Sequence, residues 1–396
     1  MTSGGQPPSP VDAPVALTVA GSDSGGGAGV QADIKTMEAM GAFATSVLTA
    51  VTAQSTTGVD ASHVLPLADI RAQYETVTAD FDVRAAKTGM LATAEVVERV
   101  ARWVREAPFP VVVDPVMVAE SGDRLLTTEA EDAYEQLVAA ATLVTPNTEE
   151  AAVLTGIEPT TPDEQAAAGE RLLNAGAGAA LITGGHAGGE TVTDVLVTPD
   201  GMQTFEQPRV ATDATHGSGC TLSSAVTAHL AQGVDLTEAV EQASAFTARA
   251  VQYAHDVGEG TGPVHHLVAL RDEAARPATR ETVETLATRL ADHRGVAGAT
   301  PYAASPEDVV TVGDDANLAA ALATVRERAP SVRFAVATPP AVAAAARTVD
   351  EIDLVESSRA VDGSAVVVRD GSVGRFFGAD PDALASAVLA ALAAVE

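Results

Sequence analysis

The 396-residue chain has one cysteine, Cys220, two lysines, Lys35 and Lys87, and an aromatic content of only 3%. A single cysteine excludes an internal disulfide and any site built from several thiolates. It fits a reducing compartment, and a cytoplasmic location is expected. With so few aromatics the core must be assembled from Ala, Val and Leu, which the 46% apolar content supplies. No run of about 18 uncharged apolar residues occurs, so no membrane span is expected. No early stretch combines a basic start, an apolar run and a cleavage site, so no secretory signal is expected. Basic charge is scarce as well: 23 Lys and Arg stand against 54 Asp and Glu, for a net charge of −31. That excludes recognition of nucleic acid through a basic surface. The acids are spread along the chain rather than clustered, as in proteins of salt-loving cells, where dense carboxylates keep the surface hydrated.

What is present is an alternation of short apolar runs and Ala-rich helical stretches. The opening MTSGGQPPSPVDAP, residues 1–14, is polar and Pro-rich and is expected to be disordered. VALTVAG reads as a strand buried on both faces, and GVQADIKTMEAMGA as the helix after it, ending at Gly41. ATSVLTAVTAQ, AAKTGM, FPVVVDPVM, ATLVTPN and AALITGG supply further strands. AEVVERVARWVREA places Val96, Val97, Val100, Trp103 and Val104 on one helical face, so Trp103 is read as a packing residue. A hairpin is expected around Pro199-Asp200-Gly201, then two long helices. The pattern implies an α/β fold with a largely parallel sheet and helices on both faces, spanning residues 15–270. Residues 271–295 read as a charged helical connector. Residues 296–396 read as a smaller C-terminal α/β domain, with strands near DVVTV, VRFAVAT and EIDLV, a hairpin in SAVVVRDGSVGRFFG and a closing helix.

Two glycine clusters carry the candidate chemistry. In THGSGC, Gly217, Ser218 and Gly219 lead into a helix whose first N–H groups are free to bind an anion, and Cys220 sits at that helix start. The position is expected to lower the thiol pKa and make Cys220 a base toward a substrate alcohol. A small buried cysteine is the plainer alternative. In AGSDSGGGAGVQADIKT, between a strand and a helix, Gly25, Gly26, Gly27 and Gly29 clear one wall of a site. No Gly-Lys-Ser/Thr follows, so it is not a Walker A loop, and its spacing is wrong for a dinucleotide fingerprint. Asp23 and Asp33 flank it, with turn stabilisation and capping as their plainer roles.

These segments resemble the hydroxymethylpyrimidine and hydroxymethylpyrimidine-phosphate kinases of thiamine synthesis, members of the ribokinase-like superfamily. AAKTGML, VVDPVMVAESGDRLL, LVTPNTEEAAVLTG, ITGGH, THGSGCTLSSAV and VGEGTGPVHH follow the opening segment in the family's order. The resemblance implies two successive phosphorylations, of the pyrimidine alcohol and then of its monophosphate, with ATP and Mg2+ as cofactors and a homodimer compatible with the family. It places Gly21, Asp33, Gln54 and Met90 around the aminopyrimidine, and Gly217, Ser218, Gly219 and Cys220 at the anion hole and base. It places Asn147, Thr183 and Gly185 at the nucleotide phosphates, and Asp114 and Glu150 near magnesium, through water. The family has lysine where this chain has Thr183, so a phosphate-facing cation is lost; turnover is expected to depend more on magnesium, salt or an arginine elsewhere, with His186 of the same loop as an alternative compensation. The C-terminal domain more loosely resembles archaeal-type thiamine-phosphate synthase, in GATPYAASPEDVVTV, APSVRFAVATPPAVAAAARTVDEIDLVES and FFGADPDALASAVLAAL. It has no histidine after His293. A synthase, a ligand sensor and a structural remnant stay open for it. For the whole chain the alternatives are a pyridoxal kinase and a thiamine-responsive regulator without catalysis.

Overall fold

The computed structural model describes residues 12–117, 128–185, 189–290, 294–346, 353–354, 366–370 and 373–395. Most of the N-terminal segment, part of VVDPVMVAESGDRLL, His186 and His293 therefore lie outside the described residues. The chain divides into two compact units, Met1–Leu267 and Val268–Glu396.

The first unit is built on an eight-stranded sheet. In chain order its strands are β1 (Val15–Ala20), β2 (Phe43–Leu48), β5 (Val83–Thr88), β6 (Val111–Val113), β7 (Leu143–Val144), β8 (Ala180–Ile182), β9 (Thr191–Thr198) and β10 (Gly201–Pro208). They lie in the order β10-β9-β8-β7-β6-β5-β1-β2. Strands β8 to β2 along that order are parallel, and the β9–β10 hairpin, turning at the expected Pro199-Asp200-Gly201, adds antiparallel to β8. The central strands are buried on both faces, as continuous apolar runs such as Val111–Val113 require. Successive residues feed opposite layers. Leu17 and Ala86 join the larger core, under α3 (Ala94–Glu106) and α4 (Thr128–Val138). Ala16 and Ala85 face α1 (Gly29–Ala39) and α7 (Ser218–Ala231), where small side chains let the helices come close. Trp103 packs as expected, stacked on Tyr74 of α2 (Leu67–Asp80) with centroids 4.1 Å apart. The two long helices after the hairpin are α7 and α8 (Leu236–Gln252).

One expected strand is two. ATSVLTAVTAQ breaks at Thr49, whose hydroxyl donates to the Met90 carbonyl at 2.8 Å. The chain then leaves the main sheet as β3 (Ala50–Ser55), which pairs only with β4 (Gly58–Val64). This hairpin is polar and mostly exposed, so β4 carried no apolar signature to read.

The second unit holds a six-stranded sheet of order β12-β11-β13-β16-β15-β14, antiparallel except for its last pair. Its strands are β11 (Gly295–Ala299), β12 (Val309–Gly313), β13 (Phe334–Thr338), β14 (Asp353–Leu354), β15 (Val366–Asp370) and β16 (Val373–Gly378). The expected connector is corrected here. Residues 271–289 belong to α9 (Val268–Arg289), whose Val283 and Leu286 are buried in this unit's core against Phe334 and Phe376. Its charged pattern hid a buried stripe. Within the same unit Asp272 of α9 accepts from Thr300 and Arg276, and Arg276 also reaches Asp308 at 2.8 Å.

A natural cut therefore falls at Leu267 and not inside α9. A chain ending at Leu267 is expected to unfold in one cooperative transition and to keep the site described below. A chain ending at 275, which carries a fragment of α9 without its core, is expected to be less soluble. Loss of cooperative unfolding in the Leu267 form would show that the first unit depends on the second.

Candidate active site

The parallel strands end along one edge, and the site is laid out on it. Past β8 comes Thr183, past β7 Asn147, past β6 Asp114, past β5 Met90 and past β1 Gly21; all five line one cavity of about 300 Å³. From β8 to β1 is four strand steps, roughly 19 Å at ordinary strand spacing. The chain crosses from one side of β1 to the other here, the usual place for a ligand in an open α/β sheet.

Two loops close the floor. Asp23, buried, accepts N–H bonds from Gly25, Gly27 and Ala28 at 2.7–2.9 Å and meets His216 Nε2 at 3.0 Å. Burial alone would raise its pKa, yet His216 and these N–H groups hold it below the ordinary carboxylate value. Asp23 is thus the turn-stabilising residue of its plainer reading. His266, which burial pushes down to about 4, stays neutral with Nε2 at 3.1 Å from the Gly27 carbonyl. Gly217 has φ +84°, and a Cβ there would collide with the Gly27 carbonyl oxygen, so the two loops meet only through glycine. Gly21 lies against the Met90 methyl, which would have to move aside for a Cβ there.

Gly217 is the residue before α7, which has no side-chain cap; the Ser218 N–H donates to the Thr215 carbonyl at 3.0 Å, and the Gly219 and Cys220 N–H groups of the first turn face a ligand. Ser218, Gly219 and Cys220 line the cavity there. The thiol pKa is a correction. The helix start was expected to lower it, but burial pushes it up to about 12. Lys87 and the Gly29 N–H pull it down, while Asp33 and Asp114 pull it up. At neutral pH the resting group is a thiol.

Beneath the cavity lies a buried charge cluster. Lys87 Nζ sits 2.9 Å from Asp33 Oδ1 and 3.6 Å from Asp114 Oδ2. Asp33 also accepts from Thr18 at 2.6 Å and Ser224 at 2.8 Å, and Asp114 from Ser223 at 3.0 Å. Burial would lower the Lys87 pKa, but Asp33, Cys220 and Asp114 together raise it, so the ammonium stays charged. Asp33 is a second correction. Fully buried, it does not line the cavity but supports its floor through Lys87 and α7. Lys87 itself was missed as a site residue, although it is one of only two lysines in a strongly acidic chain.

Asn147 and Glu150 form a capping box at the start of α5 (Thr148–Thr155). The Glu150 N–H donates to Asn147 Oδ1 at 2.9 Å, and the Asn147 N–H donates to Glu150 Oε2 at 3.0 Å. Burial first, then Asp114, pushes Glu150 up to about 8. Burial also raises Asp114, against the pull of Lys87. Two carboxylates that resist ionisation beside one cavity fit a hard cation. Among the described residues no group of three metal-ligating side chains occurs. Gln54 and Met90 line the same cavity, Gln54 from β3. The β3–β4 tip is docked: Thr56 Oγ1 accepts from the Gly260 N–H at 3.1 Å, and a Cβ at Gly258 or Gly260 would run into Thr56.

An uncapped helix start facing paired carboxylates, on the carboxyl edge of a parallel sheet, is the arrangement of a small-molecule phosphotransferase. The family described as phosphomethylpyrimidine kinase matches residues 23–265, and the chain belongs to that family. Hydroxymethylpyrimidine/phosphomethylpyrimidine kinases of Streptomyces coelicolor and Rhizobium meliloti are 46% and 44% identical to it. Those matches cover 67% and 64% of this chain and 98% and 96% of the relatives. Among solved structures, an ADP complex of Bacillus subtilis pyridoxal kinase is 37% identical with a TM-score of 0.61, covering 66% of this chain and 99% of that one. A Clostridium difficile phosphomethylpyrimidine kinase is 39% identical with a TM-score of 0.54, covering 60% and 98%. The fold of the first unit is thus ribokinase-like, as the sequence resemblance implied.

Glu150 gives a pH signature. Its carboxyl titrates near 8 in the fold against an ordinary 4.5, so in that window the folded chain holds a proton that the unfolded chain has lost. Its contribution to stability therefore falls as pH rises through the window. Glu150→Gln should flatten the decline of Tm between those limits, and millimolar magnesium should do so in the unaltered protein. An equally steep decline in Glu150→Gln would assign the titration to another group.

Proposed function

We propose that the chain transfers the γ-phosphoryl group of ATP to 4-amino-5-hydroxymethyl-2-methylpyrimidine, and then a second to the resulting monophosphate, making the diphosphate for thiamine synthesis. One observation carries the reading: Gln54 and Met90, Cys220, and the Asp114–Glu150 pair line one cavity in a chain of this family. Gln54 offers a donor and an acceptor to an amino group beside a ring nitrogen. Met90 gives the ring a polarizable contact. Leu222, Ala248, Val251, Val192 and Val210 make an apolar wall suited to the adenine. The N–H groups at the start of α7 receive the transferred phosphoryl and stabilise its developing charge.

Magnesium, when bound, would screen the phosphate oxygens beside Asp114 and Glu150. Asp114 is one of the groups that keep the Cys220 proton in place. With that carboxylate compensated, Lys87 draws the thiol down, and Cys220 can take the alcohol proton as the oxygen attacks. Asn147, Thr183 and Gly185 line the nucleotide end. No described helix is long and apolar enough to cross a membrane, and we place the reaction in the cytoplasm. The pyridoxal kinase neighbours favour pyridoxal as the second alcohol to test.

Turnover of the pyrimidine alcohol, its monophosphate and pyridoxal with MgATP, in high and low salt, separates the readings. Higher kcat/KM for pyridoxal would replace the pyrimidine. Cys220→Ala is expected to lower kcat by about 10²–10⁴-fold with ADP affinity kept; near-normal kcat would leave Cys220 a packing residue. Gln54→Leu leaves ring atoms unpaired at about 1–3 kcal/mol each, so KM for the pyrimidine should rise at least about tenfold. A change in Tm with KM unmoved would make Gln54 structural only.

A further inference from the structure

The acids lining the cavity are Asp23, Asp114, Glu150 and Asp194. Asp23 holds its own turn, and Asp114 with Glu150 fits a hard cation. Asp194 does neither. It belongs to β9, three strand steps from β6, roughly 14 Å at ordinary strand spacing and too far to share a cation with Asp114. A further carboxyl in a wall that receives a polyanion needs another reason to be there.

Its contacts supply one. Asp194 is buried, and its Oδ1 accepts the Gly184 N–H at 2.9 Å. Burial pushes its pKa up to about 6, against the pull of that N–H and of the Ser244 hydroxyl on α8. Both groups are neutral, so the carboxyl is placed to hold backbone rather than to balance charge. Gly184 lies between Thr183 and Gly185, which line the nucleotide end just past β8. This short segment is pressed against β9, because a Cβ at Gly184 would collide with the Thr193 carbonyl oxygen. Gln165 of α6 (Pro162–Asn174) donates to the same carbonyl at 3.1 Å. On the side toward β7, the Thr183 N–H donates to the Pro146 carbonyl at 3.0 Å, and Thr183 is bridged to Asn147. Past Thr183, the side-chain acceptor that fixes the segment is Asp194.

We propose that Asp194 is a positioning residue for the nucleotide: by accepting the Gly184 N–H, it sets where Thr183 and Gly185 stand on the wall that meets the phosphates. It acts through that backbone and not on the reacting atoms. Without the acceptor, the Gly184 N–H turns to water and the segment leaves its place. A nucleotide must then restore the segment on binding, and the cost appears as lost affinity. This rests on the kinase reading for the nucleotide but not on the identity of the alcohol.

The test uses the full-length chain, with ADP affinity measured by calorimetry in the absence of any alcohol, and KM measured for ATP and for the alcohol. Asp194→Ala should weaken ADP binding and raise KM for ATP by about tenfold, the loss expected when a buried N–H is left unpaired. KM for the alcohol should change less than about twofold, well under one such bond. Asp194→Asn should bring both nucleotide values back to within about twofold of the parent, because the amide oxygen still accepts and the Ser244 hydroxyl can take the amide N–H. Hydrogen exchange gives a local readout: in Asp194→Ala the Thr183–Gly185 backbone should exchange faster while Val111–Val113 keeps its protection. Should Asp194→Ala fail to fold, Asp194→Ser, whose hydroxyl sits a bond short of Gly184, gives the same comparison. Unchanged ADP affinity in Asp194→Ala overturns the inference and leaves the kinase reading standing. A loss that Asp194→Asn does not restore, or equal losses for ATP and the alcohol, overturns it as well, since charge or general packing would then be the cause. A parent chain without ADP affinity removes the kinase reading and the inference together. An Asp194-dependent ADP affinity in a protein that prefers another alcohol keeps the inference and removes only the pyrimidine.

Discussion

Lys87 is the point on which the first unit's site depends. Its ammonium has no exposure, and it lets Asp33 of α1 and Asp114 beyond β6 be buried within reach of one another. Removing one partner from such a set commonly costs about 3–5 kcal/mol, because the remaining charge stays buried and uncompensated. The carboxylates in turn receive Ser223 and Ser224 from α7. The start of α7 is therefore positioned from below by the ion cluster and from the side by the meeting of Gly27 with Gly217. Cys220 and the first-turn N–H groups owe their place to that support.

Much of this was legible in the sequence, for identifiable reasons. Strands buried on both faces announce themselves as Val-rich runs, so the parallel sheet could be read directly. The Gly217–Cys220 loop was readable because glycine, a helix start and a lone cysteine coincide. What stayed hidden follows from tertiary context. The turn at Thr49 depends on a hydrogen bond to Met90, 41 residues away. Strand β4 has no buried face to impose a pattern. The stripe of α9 is interrupted by charge, and β11 is a Gly/Ala segment with weak strand preference. Asp33 looked like a ligand residue because the family places it near the ring; the structure shows it acting one layer down.

The Cys220 thiol shows how competing terms resolve. Proximity to a helix start and to Lys87 favours the thiolate, while burial and the nearby carboxylates favour the thiol and prevail in the resting protein. A thiol held in that form is a poor nucleophile, because the thiolate is the reactive species. In the proposed reaction its reactivity would be conditional on compensation of the Asp114 carboxylate by magnesium, which would couple proton removal to arrival of the metal-bound donor.

The docked tip of the β3–β4 hairpin has a different consequence. The strand that carries Gln54 lies outside the main sheet, and the hydrogen bond from the Gly260 N–H to the Thr56 hydroxyl ties it down at its far end. In the proposed function, this tie makes Thr56 a place where the time a ring spends in the cavity can be adjusted.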